Sequence, residues 1–274
     1  MRDSVAPESR SKGWSALLLA ASVALAPSML FGATGAALAE SLKFCFTEWK
    51  PYSATENGKP VGISIDILTE AAKRAGIDAG FQELPWKRCL ADVLDGTLDV
   101  AIDGAPRDGY WHGESTHTSS YYVFFVAQSS PLTSFTGLPQ FAGKSVSLIQ
   151  GWWYPDALTN AKDIKLERLF GEKNQLQALA LGRQDAAFGD LITMGVTARE
   201  LAAAVRPLSP MLEESRYFPH FNTSRQASGQ AIDKALAAML ADGAVDRIYQ
   251  QHIGVTFSGL RDTARGSGGT AKAN

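Results

Sequence analysis

The sequence is poor in the residues that metal centres and nucleic-acid partners need. It holds 2 cysteines and 4 histidines in 274 residues, which makes a zinc site improbable. The 26 Lys and Arg nearly balance the 28 Asp and Glu, giving a net charge of −2, and no basic stripe is visible. Nucleic acid is therefore not expected as a partner. We predict no metal and no cofactor.

Long apolar runs are absent after residue 38, so no later segment is expected to span a membrane. Before that point, basic residues precede an apolar stretch at 14–38, which ends in Ala37-Leu38-Ala39. A basic start, an apolar middle and a small-residue exit predict a secretory signal peptide over residues 1–39. The mature protein is then expected in the periplasm; an uncleaved membrane anchor is the alternative.

The two cysteines, Cys45 and Cys89, are an even count in an oxidising compartment, which favours a disulfide. It would close a loop of about 45 residues and stabilise the fold by about 4 kcal/mol in the chain-entropy account. Two buried free thiols are the alternative.

A short phrase occurs twice, at Gly96–Ile102 and at Gly182–Phe188. The shared frame is Gly-x-x-Asp, a small residue, Ala and a large apolar residue. Each copy follows an apolar stretch of helical period and opens an apolar run, so each predicts a helix, a tight turn and a buried strand. Unless the echo is chance, two similar α/β lobes face each other across a cleft, where small ligands bind.

Strands and helices alternate along the chain, which favours parallel strands with helices packed outside. The predicted strands are Leu42–Phe46, Phe81–Leu84, Val100–Ile102, Tyr121–Val126, Ser145–Ile149 and Ala186–Phe188. In such folds ligands gather at the carboxyl ends of strands. Residues 47–52, 103–112, 151–154 and 189–190 occupy that position and are the candidate cleft segments.

Several motifs resemble a known family in order and spacing over residues 41–254. They are Lys59–Asp66 (KPVGISID), Pro85–Leu90 (PWKRCL), Gly143–Val146 followed by Gly151, and Gly182–Asp190. Together they resemble the bacterial periplasmic solute-binding proteins of family 3, the polar amino-acid-binding type that serves ABC importers. The second motif resembles a subgroup with a PWKRCL-like signature.

The resemblance implies an α/β, two-lobed periplasmic binding protein fold of type II. Each lobe would be a mostly parallel sheet flanked by helices, and two hinge strands near 126–130 and 219–222 would join the lobes. The expected divisions are 40–127 for the first part of lobe 1, 128–221 for lobe 2, 222–260 for the return to lobe 1 with the C-terminal helices, and 261–274 for a disordered tail.

The family's ligand residues carry over in part. The resemblance implies that Asp190 pairs with the ligand's ammonium group; an Asp that caps the following segment is the alternative. Arg107 is the candidate for gripping a ligand carboxylate, but it arrives about four residues early, and Trp111 falls on that position instead. Trp152 and Trp153 stand where the family has small hydroxyl residues.

Aromatic residues are abundant in the predicted cleft segments. They are Trp49, Tyr52, Trp111, Trp152, Trp153 and Tyr154. Ring faces attract cations, so those rings that are not in the lobe cores, with Asp190, are predicted to form an aromatic box for an amine or an aromatic amino compound.

Three functions are compatible with these features. The first is a non-catalytic, monomeric binding protein that delivers a small amine- or amino-acid-like ligand to an ABC permease in the inner membrane. The second is a sensory or partner-binding module of the same fold, presented to a membrane sensor. The third is an exported cyclohexadienyl dehydratase-like enzyme, for which Glu48, Asp103 and Glu114 are the available cleft carboxylates. Asp103 is also a candidate ligand residue.

Overall fold

The computed structural model describes residues 40–152 and 154–266. The predicted signal peptide, Trp153 and residues 267–274 lie outside the described residues. Within the described ranges, no helix is long and apolar enough to cross a membrane.

The described chain alternates strands and helices as the sequence predicts. The strands are β1 (Glu40–Phe46), β2 (Ala54–Glu56), β3 (Lys59–Val61), β4 (Ile77–Glu83), β5 (Val100–Gly104), β6 (Tyr110–Trp111), β7 (Thr118–Ala127), β8 (Ser145–Ile149), β9 (Lys165–Leu169), β10 (Ala186–Asp190), β11 (Val205–Pro207) and β12 (Glu213–Asn222). The α-helices are α1 (Ile63–Arg74), α2 (Trp86–Leu94), α3 (Asp156–Thr159), α4 (Gly171–Ala180), α5 (Leu191–Glu200), α6 (Gln226–Ala241), α7 (Ala244–Ile253) and α8 (Phe257–Arg265). Two short 3-10 helices cover Leu138–Phe141 and Thr223–Arg225.

Two halves share one strand arrangement. In the first half the strand order is β4-β1-β5 with parallel pairing, and in the second it is β9-β8-β10, also parallel. An antiparallel strand borders each set, β12 beside β5 and β7 beside β10. This arrangement confirms the two-lobed α/β fold, and the twin phrases do lead into equivalent strands, β5 and β10.

The chain passes between the halves at β7 and β12. Residues 213–217 of β12 pair with β7, and from Phe218 the same strand pairs with β5. The register shifts between Phe218 and His220, where Pro219 has no N–H to donate. β7 also pairs with β10 and β11, so it belongs to the second half. The boundary after residue 127 and the hinge at 126–130 stay predictions, and residue 127 is the last residue of β7.

Helix α1 begins directly after a close approach of two backbone segments. Gly62 has φ of 127°, and a Cβ there would lie 2.3 Å from the Tyr52 carbonyl oxygen, so only glycine fits. Helices α6 and α7 return to pack on α1, as predicted for the segment after β12. Gly62, the glycine of the KPVGISID motif, thus lets the chain pass close to Tyr52 just before α1 begins.

The end of the described chain differs from the sequence prediction. Helix α8 covers residues 261–265, which were expected to be disordered. It packs on β7 in the second half, where Ser209 Oγ donates a hydrogen bond of 2.6 Å to the Thr263 carbonyl. The predicted end of the folded chain at residue 260 is therefore wrong, because the apolar positions Phe257, Leu260 and Ala264 form a helical stripe buried against the core.

Cys45 and Cys89 form the predicted disulfide. It joins the carboxyl-terminal part of β1 to the first turn of α2, and both residues are fully buried. The bond links β1 to α2. Thr47, which follows β1, and Trp86, the first residue of α2, both line the cleft.

Candidate functional site: a cavity between the two halves

A cavity of about 360 Å³ lies beside the crossing strands. Its lining residues come from both halves and from β7 and β12. They are Thr47, Glu48, Trp49, Ser53, Trp86, Ile102, Asp103, Ser120, Tyr122, Trp152, Asp190 and Tyr217. All four predicted cleft segments contribute at least one of them, which follows from the shared edge where parallel strands end.

Trp49 forms part of the first-half wall and is held by a tight turn. Its backbone N–H donates to the Ser53 carbonyl at 2.8 Å, and its carbonyl accepts from the Tyr52 N–H at 2.8 Å. The Trp49 ring lies 4.3 Å from that of Tyr52 and meets the Tyr217 ring edge-on at 5.2 Å. Three rings are therefore packed together, which fixes the orientation of the indole.

Asp103 lies near the end of β5 and also lines the cavity. Its backbone has φ of 59°, a left-handed conformation that is uncommon outside glycine. The Ser64 hydroxyl donates to its Oδ1 at 2.9 Å, and His117 Nε2 lies 2.9 Å from the same oxygen. No described residue hydrogen-bonds Oδ2, although that atom is buried. The carboxylate is therefore held through one oxygen only.

Asp190 lines the cavity from the second half and caps α5. Its Oδ1 accepts from the N–H groups of Ile192 and Thr193 at 3.0 and 2.9 Å, and its Oδ2 accepts from Tyr121 N–H at 3.0 Å. Burial raises the pKa of Asp190 to about 6, although these hydrogen bonds pull the pKa down. Asp190 therefore caps α5, which is the alternative that the sequence left open, and it also lines the cavity.

Strand β7 contributes Ser120 and Tyr122, which are two residues apart and so share one face of the sheet. Tyr122 pairs directly across the ladder with Asp190 on β10. Burial is the main cause that raises the pKa of the Tyr122 hydroxyl, so the phenol stays neutral. Trp152 completes the second-half wall and is 40% exposed.

Five of the predicted residues that the structure describes do not line the cavity. Tyr52 is fully buried behind Trp49, with its hydroxyl donating to the Ser119 carbonyl at 3.4 Å. Trp111 packs edge-on against Phe221 at 5.6 Å, over α6. Tyr52 is a core residue and Trp111 packs, partly buried, against the core, which the sequence alone does not reveal.

Arg107 and Tyr154 also point elsewhere. The Arg107 guanidinium lies 5.6 Å from the centre of the Trp86 ring, and its Nε donates a long hydrogen bond of 3.5 Å to the Ala105 carbonyl. The Tyr154 hydroxyl is engaged by the backbone of Ile149 at 2.6 and 3.1 Å. Glu114 is absent from the lining as well.

The sequence missed Trp86, Ser53, Ile102, Ser120, Tyr122 and Tyr217 as lining residues. For Trp86 a signal existed, since it opens α2 directly after β4, at the end of a strand. For Ser120 and Tyr122 the signal was the alternation along β7. Tyr217 carries no such signal, because the side it faces depends on the pairing of β12 with β7.

A larger concavity of about 970 Å³ lies within the second half, between α4 and residues 201–204. It carries the exposed side chains Phe170 and Leu181. A ligand there would touch only one half, so it could not favour a closed arrangement of both. Among the described residues, no group of three or more His, Cys, Asp or Glu side chains could hold a metal ion.

The cavity, the crossing strands and the two matching halves define a two-lobed binding protein. Residues 42–255 match the profile of the bacterial extracellular solute-binding proteins, family 3. The chain belongs to this family and is a solute-binding protein.

Two curated proteins and one solved structure are similar to it. The L-cystine-binding protein TcyA of Bacillus subtilis (strain 168) is 26% identical over 221 residues, covering 76% of this chain and 78% of that protein. The histidine-binding periplasmic protein of Escherichia coli (strain K12) is 22% identical over 220 residues, covering 73% and 82%. The L-cystine solute receptor of Neisseria gonorrhoeae, unliganded and open, superposes with a TM-score of 0.69 at 17% identity, covering 80% of this chain and 95% of that one.

Proposed function

We propose that this protein acts as a periplasmic, monomeric receptor that captures a small amine- or amino-acid-like solute in the cavity. It then delivers that solute to an ABC permease in the inner membrane. The observation that carries the proposal is the cavity lining itself, in which carboxylates and aromatic rings of both halves meet beside the two crossing strands.

A ligand that contacts both halves stabilises their closed arrangement, because a ligand shifts a conformational equilibrium only by its differential affinity. Asp103 and Trp49 offer such contacts from the first half, and Asp190 and Trp152 from the second. Closure then presents a surface to the permease that the empty protein lacks. The names of the curated relatives, which bind cystine and histidine, support a polar solute of comparable size.

Binding without catalysis is the favoured function. Of the three carboxylates suggested for a dehydratase-like reaction, Glu114 lies outside the cavity and the Glu48 side chain is 62% exposed, beside Lys50 at 3.9 Å. Asp103 is tied to Ser64 and His117. An absorbance assay for phenylpyruvate formation from prephenate tests this point, and we expect no turnover.

The first experiment identifies the class of solute. The protein is purified without denaturation and its bound species are recorded by native mass spectrometry, and the emptied protein is then titrated while tryptophan emission is followed. Trp49, Trp86 and Trp152 line the cavity, so binding of an amino acid or amine is expected to change the emission.

A matched variant makes the readout specific. Trp111 is a partly buried tryptophan outside the cavity, so Trp111→Phe removes one fluorophore and should leave the titration midpoint unchanged. Absence of any retained species, together with no response to amino acids or amines, would contradict the proposed function.

A further inference from the structure

We propose that the cavity selects organic ammonium ions that carry no carboxylate, and that Asp103 is the residue that binds the ammonium group. This inference rests on the proposed function and narrows the class of solute. It would distinguish this chain from a receptor for free amino acids, whose ligands carry a carboxylate that requires a positive partner.

The charges that line the cavity have one sign. Glu48, Asp103 and Asp190 are carboxylates, and no Lys or Arg occurs among the described lining residues. A carboxylate moved into this cavity would lose water and meet like charges, which is unfavourable on both counts. An ammonium ion would gain opposite charges at the same place.

Two basic residues of the segments around the cavity, Lys50 and Arg107, are engaged elsewhere. Lys50 lies 3.9 Å from Glu48 and 3.6 Å from Glu56 on an exposed surface. Arg107 is exposed and lies against the Trp86 ring and the Ala105 carbonyl. Neither lines the cavity in this arrangement, so the fork that would grip a carboxylate is missing from it.

The carboxylates of Asp190 and Asp103 differ in how many of their oxygens already accept hydrogen bonds. Both oxygens of Asp190 accept backbone N–H groups, three in all. Asp103 uses only Oδ1, and its side chain is 7% exposed. A buried carboxylate oxygen that no described residue contacts by a hydrogen bond is costly, and an ammonium donor would satisfy it.

The backbone around Asp103 is held in an uncommon conformation by its neighbours. A left-handed conformation at a non-glycine residue is unfavourable and persists where the surroundings impose it, often at binding sites. The next residue, Gly104, sits against the His220 ring, where a Cβ would come within 2.6 Å. His220 in turn contacts the Ala105 carbonyl at 2.9 Å. The two residues that follow Asp103 are thus held against His220 of β12.

Aromatic rings supply the rest of the recognition. Among the residues that the structure describes, five rings line the cavity: Trp49, Trp86, Tyr122, Trp152 and Tyr217. Their faces favour a cation, and their apolar area favours the carbon atoms attached to it. The ring faces therefore contribute to the binding of an alkyl or aryl ammonium ion, and they supply no positive charge for a carboxylate.

The experiment compares amines with the amino acids from which they differ by one carboxylate. The pairs are agmatine and L-arginine, cadaverine and L-lysine, histamine and L-histidine, and phenethylamine and L-phenylalanine. Kd is measured by calorimetry on the emptied protein. At least one amine is expected to bind about tenfold or more tightly than its amino acid, since each amino acid adds an uncompensated negative charge.

Variants then assign the anchor. Asp103→Asn keeps the shape and removes the charge, and it is expected to weaken binding of the preferred amine by about 100-fold. Asp185→Asn is the control, because Asp185 is a hydrogen-bonded carboxylate outside the cavity, and the Kd of this variant should not change. Circular dichroism and thermal unfolding check that each variant is folded.

Three outcomes overturn the inference and leave the proposed function standing. The first is a preference for amino acids over their amines, with Arg107→Ala abolishing that binding. The second is a retained solute, identified by native mass spectrometry, that carries both an ammonium and a carboxylate group. Normal amine affinity in folded Asp103→Asn overturns the assignment of the anchor. The proposed function itself fails only if neither amines nor amino acids bind and no solute is retained.

Discussion

The Asp99 carboxylate accepts a hydrogen bond from the Lys43 N–H at 2.8 Å, and the Asp99 N–H returns one to the Lys43 carbonyl at 3.0 Å. Asp185 repeats this exchange with Ser145, at 2.8 and 3.0 Å. Each aspartate belongs to one copy of the Gly-x-x-Asp phrase. Each is hydrogen-bonded to the central strand of its half, Asp99 to β1 and Asp185 to β8. The repeated phrase is therefore a structural device that aligns the strands leading to the cavity.

Replacing these aspartates should affect stability unequally. Asp99 is 7% exposed and also accepts from Arg225 Nε at 2.8 Å, so Asp99→Ala is expected to cost about 2–3 kcal/mol in the free energy of unfolding. Asp185→Ala should cost about 1 kcal/mol, because that side chain is partly solvated. Urea unfolding measures both. Equal losses of unfolding free energy in the two variants would contradict this prediction.

The raised pKa of Asp190 predicts a dependence of stability on pH. Its ordinary value is 3.8 and burial raises it to about 6, so the folded state holds the proton more tightly than the unfolded state. The associated stability is present below about pH 4 and is lost as the pH rises to about 6, a change on the order of 3 kcal/mol. Asp190→Asn should remove this part of the pH profile, as followed by urea unfolding between pH 4 and 7.

Ligand binding should carry the opposite pH dependence. A bound ammonium ion favours the ionised form of Asp190, so amine affinity is expected to rise as the pH passes upward through about 6. Calorimetry in buffers of different ionisation enthalpy should then detect proton release at pH 5.5. Uptake of protons on binding at that pH would be inconsistent with a cationic ligand beside Asp190.

The disulfide is expected to support both the fold and the cavity. Removing it in the double variant Cys45→Ala/Cys89→Ala should lower the free energy of unfolding by about 4 kcal/mol, because the unfolded chain regains the freedom of a long loop. Amine affinity should fall too, since Thr47 and Trp86 lie next to the linked positions. Dithiothreitol should reproduce the loss in the natural protein and have no effect on the variant.

Two tryptophans should separate binding from stability. Trp152 is partly exposed on the cavity wall, so Trp152→Ala is expected to weaken amine binding by about 2 kcal/mol, or about thirtyfold in Kd, with little change in unfolding. Trp111→Phe should do the reverse, lowering stability by about 2 kcal/mol through lost packing on Phe221 while Kd stays the same. Titrations and thermal unfolding of both proteins check this.

Some strands can be predicted from the sequence more accurately than others, and the reasons are physical. The strand Ser145–Ile149 was predicted to the residue because Val146, Leu148 and Ile149 form a short buried apolar segment bounded by glycines. Strand β9, Lys165–Leu169, was missed because it lies at the edge of the sheet and three of its five residues are charged. The half that β7 joins is revealed only by its partners, because the strand is buried along nearly its whole length.

The sequence by itself determined the two-lobed α/β fold, the disulfide and the four chain segments that reach the cleft. These follow from local periodicity, from cysteine count and from the rule that parallel strands end at a common edge. Tertiary structure alone decided that Trp49 and Trp152 face the cavity while Tyr52 and Trp111 enter the core. It also decided that Asp190 is saturated by backbone N–H groups and Asp103 is not. Such choices depend on contacts between residues far apart in the chain, such as Tyr121 with Asp190, which no local pattern encodes.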